Sequence, residues 1–125
     1  MDETILKHFF KFQNELKLYH WRTFSYARHK ASDKLFENVI TLTDTFIETF
    51  MGKYNKRVQM TNKPIQIRSF NDKNVFKMLN EFKKFLISIE KYLPQKPDKT
   101  ISDLLNIRDE LLVNINQTLY LFTLN

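Results

Sequence analysis

A single glycine and three prolines in 125 residues leave few points at which the backbone can break, and apolar residues recur between them at three- and four-residue intervals. Such runs leave little room for strands. The sequence therefore predicts an all-α chain of four helices. The first covers about 3–23, with Asp2 as its cap and Ile5, Phe9, Phe12, Leu16 and Tyr19 as its apolar stripe. The second covers about 26–51, turns Leu35, Val39, Leu42, Phe46 and Phe50 inward, and stops at Gly52. The third, about 72–93, carries Val75, Leu79, Phe82, Leu86, Ile89 and Leu93. The fourth, about 100–123, carries Ile101, Leu104, Leu111, Ile115, Leu119 and Phe122, and the spacing of Thr100 to Asp103 resembles a capping box.

Connection lengths select the topology. Only a few residues around Phe24 and Ser25 separate the first two helices, and the turn from Pro94 to Asp98 separates the last two, so each pair forms an antiparallel hairpin. The stretch 53–71 contains Pro64 and is of mixed polarity. At about 3.3 Å per residue it is long enough to run back along a helix of roughly 33 Å. Two hairpins joined by one long crossover describe a ferritin-like four-helix bundle, formed here by a single domain over residues 1–125.

Bundles of that kind usually bind two metal ions inside one chain through Glu-x-x-His pairs, and this sequence has no Glu-x-x-His. It has instead His29, Asp33, Asp44 and Glu48, in the pattern H-x3-D-x10-D-x3-E, placed symmetrically about the point between Asn38 and Val39. On one helix His29 and Glu48 stand about 28 Å apart, too far to share an ion. If a second copy packs antiparallel about a two-fold axis at that midpoint, His29 meets the partner's Glu48 and Asp33 meets the partner's Asp44. Two identical sites then form, each shared between chains. Helical phase agrees, because Asp33, Glu37, Asp44 and Glu48 fall within about one quadrant of His29, among Ile40, Ile47 and Met51. A solvated charge stripe is the alternative reading. His20 lies on the apolar arc of the first helix, close to His29 across the turn, either as a fifth ligand or as a hydrogen-bonded core residue. His8 reads as surface.

Tyr19-His20-Trp21, followed by His29, Asp33, Asp44 and Glu48, resembles the ferroxidase signature of the Dps family of mini-ferritins. The likeness extends over nearly the whole chain. It implies a dinuclear iron site at a two-fold interface, with His20, His29 and Asp33 from one subunit joined by the partner's Asp44 and the partner's Glu48, and with Trp21 beside the site or packed in the interface. It also implies oxidation of iron(II) by peroxide or oxygen. The two histidines stand nearer in sequence than in that family by almost one helical turn, and the glycine after the His-Trp pair is missing, so the intervening turn must be rebuilt. In composition the chain, rich in Asn, Lys, Ile and Phe, is also similar to short uncharacterised ferritin-like proteins of large DNA viruses.

Imidazole and carboxylate ligands suit iron, manganese or zinc, and the lack of cysteine excludes thiolate sites and disulfides. No apolar run approaches a membrane span, and the start of the sequence lacks the features of a secretion signal, so an intracellular (cytoplasmic) or virion location and a homodimer or higher homo-oligomer are expected. Two other functions stay open. One is a metal-free structural or interaction protein that retains the bundle. The other uses the net charge of +6 to bind nucleic acid or another polyanion through Lys53, Lys56, Arg57, Lys63 and Arg68 in the basic crossover.

Overall fold

A computed structural model describes residues 2–124, with the side chain of Asp2, and hence its expected capping role, outside the description. The described residues form four α-helices and no strand: α1 (Asp2–Arg22), α2 (Tyr26–Tyr54), α3 (Val75–Ile87) and α4 (Ser102–Leu121), with a short 3-10 turn at Ile89–Tyr92. The expected stripes supply the core. Phe9, Phe12, Leu16, Tyr19, Val39, Phe46, Leu79, Phe82, Leu86 and Ile115 are all buried together. At its centre Phe12 stacks on Phe82 with ring centroids 3.9 Å apart, and Phe9 meets Phe46, Phe82 and Phe85 edge-on. Each helix packs chiefly on two others, in the cyclic order α1, α2, α4, α3.

Polar contacts fix the direction of every element. Asp72, just before α3, accepts hydrogen bonds from the Tyr19 and Thr23 hydroxyls and the Phe24 N–H, so α3 starts at the end where α1 turns into α2. Arg28 donates to the carbonyl of Phe122 and brings the end of α4 to that same level. At the far end, Lys53 of α2 donates to the Thr100 carbonyl and lies 3.0 Å from Asp103 at the start of α4. Thus α2 and α3 run in the same direction, and the segment 55–74 must travel the full length between them. It climbs along α1: Thr61 bonds Glu3, Arg68 bonds Glu15, and the Phe70 carbonyl accepts from Arg22.

Several expected boundaries move, each for a local reason. The second helix does not stop at Gly52 but continues to Tyr54. Asn55 then takes the left-handed conformation (φ 51°) and donates its N–H to the Met51 carbonyl, a role asparagine tolerates. The third helix starts at Val75, because Asn71 and Asn74 form a reciprocal turn in which each side-chain oxygen accepts the other's N–H. It ends at Ile87, where the Ser88 hydroxyl bonds the Lys84 and Phe85 carbonyls and the chain tightens into the 3-10 turn. The capping box at Thr100 is not formed. Ile101 holds the cap position of α4, and Asp103 accepts from the adjacent Leu104 N–H and pairs with Lys53. By contrast, Ser25 caps α2 by accepting from the Arg28 N–H.

Asp72 makes the turn end sensitive to acid. Burial pushes its carboxyl up, but the Thr23 and Tyr19 hydroxyls, the Phe24 N–H and Arg28 together hold it below the ordinary value of 3.8. A depressed folded value adds stability that is fully present above pH 3.8 and lost as pH falls through the lower folded value. The variant Asp72→Asn is therefore expected to be less stable than the wild type at pH 7 and to lose part of that gap at pH 2 to 3. Urea melts across that range would check this, and a gap independent of pH would contradict it.

Candidate metal centre

The last turn of α1 and the first turns of α2 bring two imidazoles face to face. The rings of His20 and His29 stack with centroids 3.9 Å apart and an interplanar angle of 19°. Each ring also holds the backbone of the other residue. His20 Nδ1 lies 2.8 Å from the His29 carbonyl oxygen, and His29 Nδ1 lies 2.9 Å from the His20 carbonyl oxygen. A carbonyl can only accept, so both Nδ1 atoms carry the proton, and in the neutral rings both Nε2 atoms keep their lone pairs. Second-sphere bonds to metal-bound histidines have this form, in which one ring nitrogen is fixed by a carbonyl and the other is left to coordinate. Ser32 braces the arrangement, its buried hydroxyl standing 3.1 Å from His20 Nδ1 and donating to the His29 carbonyl.

Asp33, one turn after His29, approaches the His20 ring. Its Oδ1 lies 3.9 Å from His20 Nε2, beyond hydrogen-bond reach. Two neighbouring ligands on a tetrahedral ion, each about 2.1 Å from it, stand about 3.4 Å apart, so the pair would have to close by about 0.5 Å to share one. Lys17 also stands there, its Nζ 3.8 Å from Asp33 Oδ1 and 4.8 Å from the centre of the Phe36 ring. Nothing in the ligand spacing signalled Lys17 or Ser32, although Lys17 lies one turn before His20 on α1.

Asp44 and Glu48 sit farther along α2, exposed, and neither makes a hydrogen bond or ion pair among the described residues. Their side of α2 also carries the exposed Glu37 and the half-buried Ile40, Ile47 and Met51. Among the described residues no group of three or more His, Asp or Glu side chains is close enough to hold a metal ion. One chain thus stacks His20 on His29 and brings Asp33 near His20 alone, and it leaves Asp44 and Glu48 apart. Trp21 is 68% exposed beside this group, with Lys17 Nζ 5.9 Å from its ring centre.

A model for a family of unknown function, DUF5856, matches residues 20–122. The chain belongs to that family. The matched span opens at His20 and contains all five candidate ligands. No curated protein and no solved structure matches the chain. No helix among the described residues is long and apolar enough to cross a membrane.

The remaining residues named from sequence lie elsewhere. His8 is not simply surface: it is half-buried and stacks on Phe85 with centroids 4.1 Å apart, and this burial pushes its imidazole below the ordinary value. Within the basic segment, Lys53 is tied to Asp103 and the Thr100 carbonyl, and Arg68 is held by Glu15 and Glu81. The ammonium of Lys56 lies 5.8 Å from the Phe50 ring centre, whereas Arg57 and Lys63 are exposed. Sequence reasoning also missed Glu15. At three residues after Phe12 and four before Tyr19 it lies on the apolar stripe of α1, and a carboxylate in that position calls for a cation.

Proposed function

We propose that this chain is a ferritin-like, Dps-like protein that pairs with a second copy through α2 and oxidises iron(II) at sites shared between the two subunits. One observation carries the reading: the reciprocal Nδ1-to-carbonyl bonds of His20 and His29, which leave Nε2 of each neutral ring with its lone pair, that of His20 standing 3.9 Å from Asp33 Oδ1. The path of residues 55–74 along α1, joining helices that run in the same direction, supports a ferritin-like bundle. Exposed Asp44 and Glu48 without partners, on a face with half-buried aliphatic side chains, are what a second chain would use.

In this arrangement His20, His29 and Asp33 receive iron(II) as substrate from one side, and the partner's Asp44 and the partner's Glu48 receive it from the other. Imidazole nitrogen and carboxylate oxygen fit iron(II), with manganese or zinc as competitors. The acceptor of the electrons is peroxide or oxygen, as in the Dps family that the signature resembles. Trp21, largely exposed in the single chain, would be covered at the interface.

Complementation tests the shared site. A His29→Ala chain and a Glu48→Ala chain are each expected to be inactive as homodimers. When they are unfolded and refolded together, about half of the dimers are mixed, and each mixed dimer places both lesions in one site and leaves the other intact. Oxidation should return to about one quarter of the wild-type rate. No recovery despite proven mixed dimers would count against sharing.

The position of Lys17 favours a second reading, a metal-free interaction protein on the same bundle. Its ammonium already supplies a cation to Asp33. An anaerobic iron(II) titration without saturable binding would support that reading over the first.

A further inference from the structure

A separate feature lies toward the opposite end of α1 from His20. Lys7, His8 and Lys11 line one side of a groove of about 300 Å³, and Pro64, Ile65 and Gln66 of the ascending segment line the other. A smaller chamber of about 90 Å³ adjoins it through His8 and Lys11 and is walled by Glu15, Arg68 and Glu81. The groove lining contains no carboxylate. The two acids of the inner chamber are already bound to Arg68, at 2.8 Å from Glu15 and 2.6 Å from Glu81.

Lys7 and Lys11 are one helical turn apart, and neither makes a hydrogen bond or a close ion pair among the described residues. Like charges at that spacing repel and slightly destabilise a helix. Two further cations add to the local field: Lys63 acts with Lys7 on Glu3, and Lys91 acts with Lys11 on His8. The acids nearest the two lysines have other partners: Glu3 is engaged by the backbone and hydroxyl of Thr61, and Glu15 and Glu81, the latter also within the field of Lys11, are held by Arg68. The imidazole of His8 stacks on Phe85 and lines both cavities, and a neutral ring carries one N–H that can donate.

We propose that this groove is a binding site for a small phosphate-bearing anion, with Lys7 and Lys11 clamping the phosphate oxygens and His8 donating a third hydrogen bond. The volume is at the lower limit for small-molecule pockets, large enough for a diphosphate group. The inference does not depend on the iron reading, because no residue is shared between the two sites.

Calorimetric titration of the wild-type protein with pyrophosphate tests it. Saturable binding is expected, and Lys7→Gln and Lys11→Gln should each weaken it at least about tenfold, the usual scale for a charge-assisted hydrogen bond. Lys11→Arg should retain most of the affinity, and Lys73→Gln, at the other end of the bundle, should leave it unchanged. Absence of saturable binding overturns the proposal. So does an equal loss in Lys73→Gln, which indicates diffuse attraction by the net charge, or binding of a single-stranded oligonucleotide without any of pyrophosphate.

Discussion

Replacing His29 or Asp44 with alanine is expected to lower the rate of iron(II) oxidation at least about a hundredfold, since loss of a direct ligand should exceed the 10- to 100-fold cost of losing a second-sphere partner. The two substitutions should differ in their effect on folding. Asp44 is exposed and without a partner, so Asp44→Ala should alter stability by no more than about 0.5 kcal/mol. His29 bonds the His20 carbonyl and stacks on its ring, and His29→Ala should cost about 1 to 2 kcal/mol. Stopped-flow oxidation assays beside denaturant melts separate the effects. A fully active Asp44→Ala protein would remove Asp44 from the site.

The largest effect on stability is expected at Arg68. The Glu15 side chain is only 2% exposed, and its carboxylate accepts from Arg68 Nε at 2.8 Å, from Nη2 at 3.1 Å and from the Arg68 backbone N–H at 3.0 Å. The same guanidinium bonds Glu81 on α3, so one side chain ties α1, α3 and the ascending segment. The hydrogen bonds it donates to Glu15 and then to Glu81 hold its proton more firmly than in a free arginine. Arg68→Met leaves the Glu15 carboxylate buried with only the backbone N–H, and should cost about 3 kcal/mol. For a domain of this length that is a fall in Tm of roughly 10 °C. The double variant Glu15→Met with Arg68→Met should recover most of the loss, because a buried pair replaced on both sides by apolar groups is often close to neutral. A single variant as stable as the wild type would show that Glu15 finds water or another partner.

The four helices were legible in the sequence because burial imposes a 3.6-residue period, and Phe9, Phe46, Leu79 and Ile115 mark it clearly. Helix ends were less legible, since they depend on which side chain reaches which backbone group. Asn55 displaces Gly52 as the stop, and the Asn71 and Asn74 turn delays α3, through bonds that periodicity does not carry. In the candidate centre, the nearness of His20 to His29 follows from the short turn between helices. The exchange of carbonyl bonds between them does not, because it depends on how the turn directs two backbone oxygens. Lys17 escaped notice for a related reason: a lysine on a helix surface reads as solvated until the packing of α1 on α2 places Asp33 beneath it.

Anomalous diffraction from crystals grown with iron(II), recorded above and below the iron edge, tests the central claim most directly. A peak is expected beside the Nε2 atoms of His20 and His29 and Asp33 of one chain, with the partner's Asp44 and the partner's Glu48 completing the shell across a two-fold axis. A crystal in which α2 stays unpaired, or pairs with these side chains turned to solvent and no anomalous peak among them, would contradict it.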